Sequence, residues 1–203
     1  MTLVIFGSDA GEVVLPAEGS TLNDRADGGH LVVNPARSVW DRSALNQNEL
    51  TSWSFLVAAA GRAMLETLPQ LEGGCINYWD AGNWALNDLA APAGPKNPRQ
   101  HRALHLHLFG RSPRSQSASW QWGESPFFPR FVDRGDWAAS NRSLSPSECA
   151  AITERIGPIL VGTYGVDPAS FYPLAKCALC DYTLTASGRT LHVRPCSESV
   201  KKD

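Results

Sequence analysis

The sequence has no hydrophobic run long enough to span a bilayer. Its apolar runs near the start, Leu3–Phe6 and Val13–Leu15, are short, whereas a membrane helix needs about 20 consecutive apolar residues. No cationic stretch precedes Leu3, as a secretory signal would require. We therefore expect a cytoplasmic protein without a membrane partner.

An excess of charge of one sign is also missing. The 203 residues include 18 Lys and Arg against 20 Asp and Glu, which gives a net charge of -2. A protein that coats nucleic acid carries a basic excess over much of its surface, so we expect no general nucleic-acid binding. The balanced charge and 43% hydrophobic content are typical of one globular chain of one or two domains.

The five cysteines do not have the even number and regular spacing of a disulfide framework. Free thiols are therefore expected. Cys177 and Cys180 form the only close pair, and three interpretations stay open for them: half of a zinc site, a redox pair, or two buried structural thiols.

Acidic residues are absent from one long window, Leu89–Gly123. The same window holds three of the five histidines and five cationic residues, namely Lys96, Arg99, Arg102, Arg111 and Arg114. Such a local field favours an anionic ligand, and arginine suits phosphate oxygens geometrically. The lack of carboxylate ligands weakens a metal site, although a metal enzyme built on His30, His105 and His107 remains an alternative.

Local patterns predict the secondary structure. An N-cap with Glu at the third helical position opens an amphipathic helix at about 47–68 and a second helix at about 145–160. Residues 1–23 suggest a loosely paired hairpin or an ordered arm, and residues 112–142 suggest an irregular segment anchored by aromatic side chains. The predicted strands are His30–Asn34, Cys75–Trp79 and Ala103–Phe109, followed by a late hairpin of 181–185 with 189–193.

The third of these strands carries the candidate chemistry. Side chains alternate along a strand, so Leu104, Leu106 and Leu108 are expected to face the core. His105 and His107 then share the opposite face, with Cα atoms about 7 Å apart, close enough for both to touch one phosphate or one metal ion. The alternative without a functional role is that both histidines simply lie on the exposed face of a half-buried strand.

The stretch His105–Arg111 resembles the second half of the histidine triad signature, His-φ-His-φ-His-φ-φ with φ apolar, followed by Gly and Arg. Gly29–Pro35 resembles the family's first histidine strand, and the helix after Leu45 and the strand from Cys75 to Gly82 follow in the family's order. The resemblance covers about residues 25–115. It implies an α+β histidine triad (HIT) fold, an antiparallel sheet with one long helix packed on it, in a domain of residues 1–115. Residues 116–203 are then a C-terminal extension, with a helix and short strands, packed on or beside that domain.

The resemblance implies roles for individual residues. His105 takes the place of the nucleophile, His107 contacts the phosphoryl oxygens, and His30 lines the phosphate pocket. The nucleotide or phosphate is further expected to meet Asp80, Asn83, Trp84, Gln100, Arg102 and Arg111. For Trp84 and also Trp79, stacking on a purine and core packing are both open.

The chain departs from the family pattern at two places. Ala103 stands where the first histidine of the triad belongs, and His101 lies four residues before His105, so that it could substitute only through a bulge. The family's Gly-Gln-Ser/Thr approach is replaced by Pro98–Arg102. We expect the loss of the first histidine to remove a group that holds the other ring nitrogen of the nucleophile.

The leading hypothesis is a hydrolase or nucleotidyl transferase that acts at the α-phosphate of a nucleoside phosphoramidate, dinucleotide or nucleotide anhydride. It would work through a nucleotidyl-histidine intermediate and need no metal or other cofactor. One alternative is a nucleotide-binding module that has lost catalysis. The expected partner is a small nucleotide, and the homodimer common in the family is left open.

Overall fold

The computed structural model describes residues 3–17, 19–80 and 82–172 in full, and the backbone of residues 174–176 and 183–185. A central antiparallel sheet has five strands in the order β1-β2-β3-β5-β4. These strands are β1 (Leu3–Ser8), β2 (Gly11–Leu15), β3 (His30–Pro35), β4 (Cys75–Trp79) and β5 (Leu106–Arg111). The helices are α1 (Gln47–Thr67), α2 (Pro98–His101), α3 (Arg134–Ala139) and α4 (Pro146–Tyr164). The predicted α+β architecture is confirmed.

Helix α1 begins where the sequence predicts because its capping is entirely local. The Asn46 side chain accepts a hydrogen bond from the Glu49 backbone N–H (3.0 Å), and the Glu49 carboxylate accepts one from the Asn46 N–H (2.8 Å). The helix buries one face, which includes Trp53, Leu56 and Met64, against the sheet. This is the long helix expected over the sheet.

Helix α4 completes the same apolar core. Ser145 and Glu148 form a second capping box, as predicted, and the helix continues four residues past the expected end at 160, to a Gly165 with φ 67°. Its buried residues Ile152, Ile156 and Ile159 pack with the residues of α1 and the sheet. The core is therefore shared across the predicted boundary at 115/116, which itself stays a prediction.

The N-terminal residues form regular structure. Strands β1 and β2 pair as an antiparallel hairpin, with a register shift between Val4 and Phe6, and β2 continues the sheet to β3. The hairpin alternative for residues 1–23 thus describes β1 and β2 better than a separate arm does.

The irregular segment 112–142 lies on the other face of the sheet. It contains short 3-10 turns at 118–120 and 131–133 before α3. A small buried cluster of Leu22, Phe109 and Trp120 anchors it, with Trp79, Trp84, Phe128 and Trp137 packed around. The aromatic anchoring expected from the sequence is present in the structure.

The predicted late hairpin is only partly described. Strand β7 (Thr183–Thr185) lies within the predicted strand 181–185 and pairs antiparallel with β6 (Leu174–Lys176), a pairing that the sequence did not predict. Residues 189–193, Cys177 and Cys180 lie outside the described residues. Within the part of the chain that is described, no helix is both long and apolar enough to cross a membrane.

Candidate functional site

The two histidines of the predicted strand lie side by side. Their ring centroids are 4.8 Å apart, with the planes at 72°. Leu104, Leu106 and Leu108 are buried in the core on the opposite face. The predicted division of the two faces is therefore confirmed.

The boundaries of this strand differ from the prediction. Strand β5 covers Leu106–Arg111 rather than Ala103–Phe109, so His105 lies directly before it. In the register of β3 and β5, Val33 pairs with Leu106, and the ladder meets Pro35 two residues later, where no N–H is present to extend it. The Leu104 N–H donates instead to the Val39 carbonyl (2.7 Å). The start of β5 is therefore set by Pro35 in the neighbouring strand and by the hydrogen bond from Leu104 to Val39, not by the residues of β5 itself.

His30 is fixed at the start of β3 by a close approach of two chain segments. A Cβ on Gly28 would lie 2.4 Å from the Gly110 carbonyl carbon, and Gly28 has φ 129°, so glycine is required there. The buried Asn23 amide donates to the Gly29 carbonyl (3.1 Å) and to the Gly110 carbonyl (2.8 Å). These contacts bring His30 beside β5.

A chain of hydrogen bonds then orders His30 and His107. The Leu22 N–H donates to His30 Nδ1 (3.2 Å), so this nitrogen carries no proton. In the neutral ring the proton is on His30 Nε2, which lies 2.8 Å from His107 Nδ1 and donates to it. His107 accordingly carries its own proton on Nε2. The two rings stack with centroids 5.1 Å apart.

His105 is held by the main chain. Its Nδ1 lies 2.8 Å from the Ala103 carbonyl oxygen. Because a carbonyl can only accept, Nδ1 carries the proton and Nε2 of the neutral ring keeps a lone pair. The group that orders the ring nitrogen is therefore present, although residue 103 is alanine, because a backbone atom supplies it.

The environment keeps two of the three rings uncharged. Burial places the pKa of His30 well below its usual value, with smaller contributions from His107 and His105. Burial, followed by the charge of His105, lowers the pKa of His107 to about 3. Both rings are neutral at physiological pH and act through directed N–H groups and lone pairs.

The guanidinium of Arg102 is paired with two carboxylates of the protein. Its Nη1 donates to Asp41 Oδ2 (2.6 Å) and its Nη2 to Asp80 Oδ1 (3.0 Å). Arg42 Nη2 lies 3.5 Å from the other oxygen of Asp80. Backbone and side-chain hydrogen bonds from Ser43, followed by Arg102, lower the pKa of Asp41 to about 2. A phosphate would have to compete with these carboxylates for Arg102.

Arg111 is buried at the far end of β5. Its Nη2 donates to the carbonyls of Gln121 (2.8 Å) and Glu124 (3.0 Å), and its guanidinium lies 5.6 Å from the Trp120 ring centroid. It ties the irregular segment to the sheet. Four strand steps of about 3.3 Å separate it from His107.

The other cations of the acid-free window also contact the protein. Lys96 donates to the carbonyls of Asn87 and Gly94, Arg99 lies over the Trp40 ring, and Arg114 contacts Glu72 and the Pro69 carbonyl. Asp41, Asp80 and Glu72 come from outside the window, which is why the sequence window alone overstates the positive field.

The remaining predicted site residues do not converge on the histidines. Asn83 and Gln100 are exposed, in a 3-10 turn and in α2 respectively, and Trp84 packs against the aromatic cluster. Among the described residues, these three and Asp80 have no hydrogen bond or ring contact with His30, His105 or His107. Their contact with a nucleotide stays a prediction.

His101 does not stand in for the missing first histidine of the triad. It ends α2, and its Nδ1 lies 3.1 Å from the Asn97 carbonyl of the same turn. The bulge that would bring it to the site is not formed.

An aromatic wall stands beside His107. Trp79 pairs with His107 across β4 and β5, and their ring centroids are 6.0 Å apart. Phe128 stacks on Trp79 with centroids 3.7 Å apart. Phe128 was not a predicted site residue, because nothing in the irregular segment indicates which of its aromatic side chains reaches the sheet.

The metal alternative requires several ligands around one point. His30 Nε2 and His107 Nδ1 bond to each other, and within the described ranges no three His, Cys, Asp or Glu side chains are grouped to hold an ion.

Comparisons with known proteins find similar solved structures. A histidine triad protein of Marinobacter aquaeolei VT8 is similar with a TM-score of 0.44 at 17% identity, over 79% of this chain and 90% of that one. A histidine triad protein of Sinorhizobium meliloti 1021 has a TM-score of 0.43 at 18% identity, over 76% and 89%. A hypothetical histidine triad nucleotide-binding protein of Sulfolobus tokodaii has 0.42 at 12%, over 81% and 91%.

Neither a family model nor a curated protein matches the sequence. Because the identities and TM-scores are low, any assignment of activity to this chain rests on its own residues.

Proposed function

We propose that this chain is a HIT-like nucleotide hydrolase or nucleotidyl transferase with His105 as the nucleophile. One observation carries the proposal: His105 donates its Nδ1 proton to the Ala103 carbonyl (2.8 Å), which leaves Nε2 with a lone pair beside the ring of His107. A neutral imidazole nitrogen in that state is ready to attack phosphorus.

The first step forms a bond from His105 Nε2 to the α-phosphorus and breaks the bond from phosphorus to the leaving nitrogen or oxygen. The electron pair of that bond departs with the leaving group, which takes a proton from water. The modified ring then bears a positive charge shared with Nδ1–H. The Ala103 carbonyl stabilises it, since a hydrogen bond from a charged donor is stronger than a neutral one.

His107 is proposed to bind a phosphoryl oxygen. Its Nε2–H is the donor, because His107 Nδ1 accepts from His30. In the second step water attacks phosphorus, the P–N bond breaks, its electron pair returns to His105 Nε2, and a proton passes to solvent. In a transferase, another acceptor replaces water.

The decisive experiment is incubation with an adenosine phosphoramidate. We expect one adenylate per chain, stable in alkali and lost in acid, and no adduct with His105→Ala. The matched control is His101→Ala, which removes a histidine of the same segment whose Nδ1 contacts the Asn97 carbonyl of its own turn, and it should leave adduct formation unchanged. Equal turnover by wild type and His105→Ala would contradict the mechanism.

The engagement of Arg102 and Arg111 within the protein favours a second candidate, a nucleotide-binding module without turnover. It predicts micromolar binding of AMP in calorimetry and no product after prolonged incubation. Turnover that depends on His105 would reject it.

Three wider expectations carry over as proposals. They are a domain of residues 1–115 with an extension of 116–203, a cytoplasmic location, and assembly as a homodimer. Size-exclusion chromatography with light scattering tests the last of them.

A further inference from the structure

The segment from Arg102 to His105 positions the proposed nucleophile, yet it lies between α2 and β5 and belongs to neither. Its key atom is the Ala103 carbonyl oxygen, which orders the His105 ring. The Ala103 side chain is exposed and provides no anchor. The position of that carbonyl must therefore come from the residues on either side.

The residue before Ala103 is anchored by two carboxylates. Arg102 has one arm on Asp41, in the turn before α1, and the other on Asp80, at the end of β4. Its side chain is only 14% exposed, and those of Asp41 and Asp80 are 28% and 25% exposed. Asp41 is itself held by the N–H and hydroxyl of Ser43 (3.0 and 2.8 Å).

The residue after Ala103 is anchored to the same neighbouring segment. The Leu104 N–H donates to the Val39 carbonyl (2.7 Å), and both side chains are buried in the core. Val39 and Asp41 are two residues apart, so one short stretch of chain holds Ala103 from both sides.

We propose that Arg102 is a positioning residue which, through Asp41 and Asp80, fixes the Ala103 carbonyl and thereby the proton of His105 on Nδ1. The clamp, defined as Arg102 with Asp41 and Asp80, takes over the ordering role expected of the missing first histidine. This inference rests on the proposed function for its catalytic consequence. Its structural content, the tautomer of His105, is independent of activity.

The chemistry of the clamp requires arginine. A guanidinium presents several N–H donors in a rigid plane and bonds two carboxylates in fixed directions, whereas a lysine ammonium is a point charge on a flexible stem. Arg102→Lys keeps the charge but not the two directed bonds. It therefore separates positioning from simple attraction.

The test is nitrogen-15 NMR of protein labelled at histidine, with the His105 signals assigned from His105→Ala. The wild type should show a protonated Nδ1 and a bare Nε2 at His105, and Arg102→Lys should show a mixture of the two tautomers. Adduct formation from the phosphoramidate should slow by about 10- to 100-fold in Arg102→Lys, since misplacement of about 1 Å can cost two orders of magnitude in rate. Arg114→Lys, the same change at an exposed arginine, should match the wild type in both measurements.

Asp41→Asn provides a second variant if Arg102→Lys does not fold, because it weakens one arm and keeps Arg102. A single Nδ1–H tautomer in the folded variant would overturn the clamp, as would an adduct rate equal to that of wild type. If the wild type forms no adduct, but has the single Nδ1–H tautomer that becomes a mixture in Arg102→Lys, the proposed function is overturned and the clamp is supported.

Discussion

The two faces of the central sheet are held by different kinds of interaction. On one face, the leucines of β5 and the apolar residues of β3 pack against α1 and α4 in one continuous core. On the other, His30 and His107 are joined by a directed hydrogen bond, His105 contacts the His107 ring, and a small aromatic cluster packs the irregular segment against the sheet. Apolar packing is non-directional and sums over many contacts, whereas each bond on the histidine face depends on one partner.

The largest effect is expected on the apolar face. Leu108 is fully buried, so Leu108→Ala should lower the free energy of unfolding by about 3 kcal/mol, measured by equilibrium urea unfolding. Leu65→Ala, at a position of α1 that is 38% exposed, is the control and should cost less than about 1 kcal/mol. An equal loss in the free energy of unfolding for the two substitutions would contradict the placement of Leu108 in the buried core. The tautomer of His105 should not change in Leu108→Ala, because the leucine lies on the opposite face.

The buried histidines of the other face should make the free energy of unfolding depend on pH. The unfolded chain protonates His107 below about pH 6.5, while the folded chain, in which burial lowers this pKa to about 3, does not. The free energy of unfolding therefore falls with decreasing pH in that window, and His30 adds to the fall because its pKa is lowered in the same direction.

Between about pH 7 and pH 5 we expect a fall of roughly 2 kcal/mol from His107. His107→Phe should show a fall smaller by that amount in urea unfolding at the two pH values. Leu65→Ala alters no titratable group and should keep the wild-type pH dependence. A wild type whose stability is flat across this range would contradict a neutral buried pair.

The smallest effect concerns the aromatic wall. A double-mutant cycle of Trp79→Leu and Phe128→Leu should give a coupling of about 1 kcal/mol, because stacked rings interact beyond the area that they bury. Phe127 is 63% exposed, so a cycle of Trp79→Leu with Phe127→Leu should give a smaller coupling. If the two couplings are equal, the irregular segment does not dock through Phe128.

Several elements could be predicted because their causes are local. Each capping box, at Asn46 and at Ser145, involves only the N-cap residue and the glutamate three residues later, at the start of the helix that it opens. Strand β4 covers Cys75–Trp79 as predicted, and the alternation of leucine and histidine before Phe109 identifies the core face. Residues within one or two turns of each other decide these features.

Of the candidate site, the sequence predicted the histidines but not the backbone groups that position them. The start of β5 depends on Pro35 and Val39, which are distant in sequence from His105. The sequence also suggested that Ala103 leaves His105 without an ordering group, since a side chain can be read from the sequence and the direction of a carbonyl cannot.

The sequence by itself determined the main helices and strands around the core, the common face of His105 and His107 opposite the leucines, and the absence of acids near them along the chain. Only the tertiary structure decided where the charges go. It brings Asp41 and Asp80 to Arg102, and carbonyls to Arg111. The physical reason is that periodicity acts between neighbours in sequence, whereas electrostatic attraction depends on distance in space.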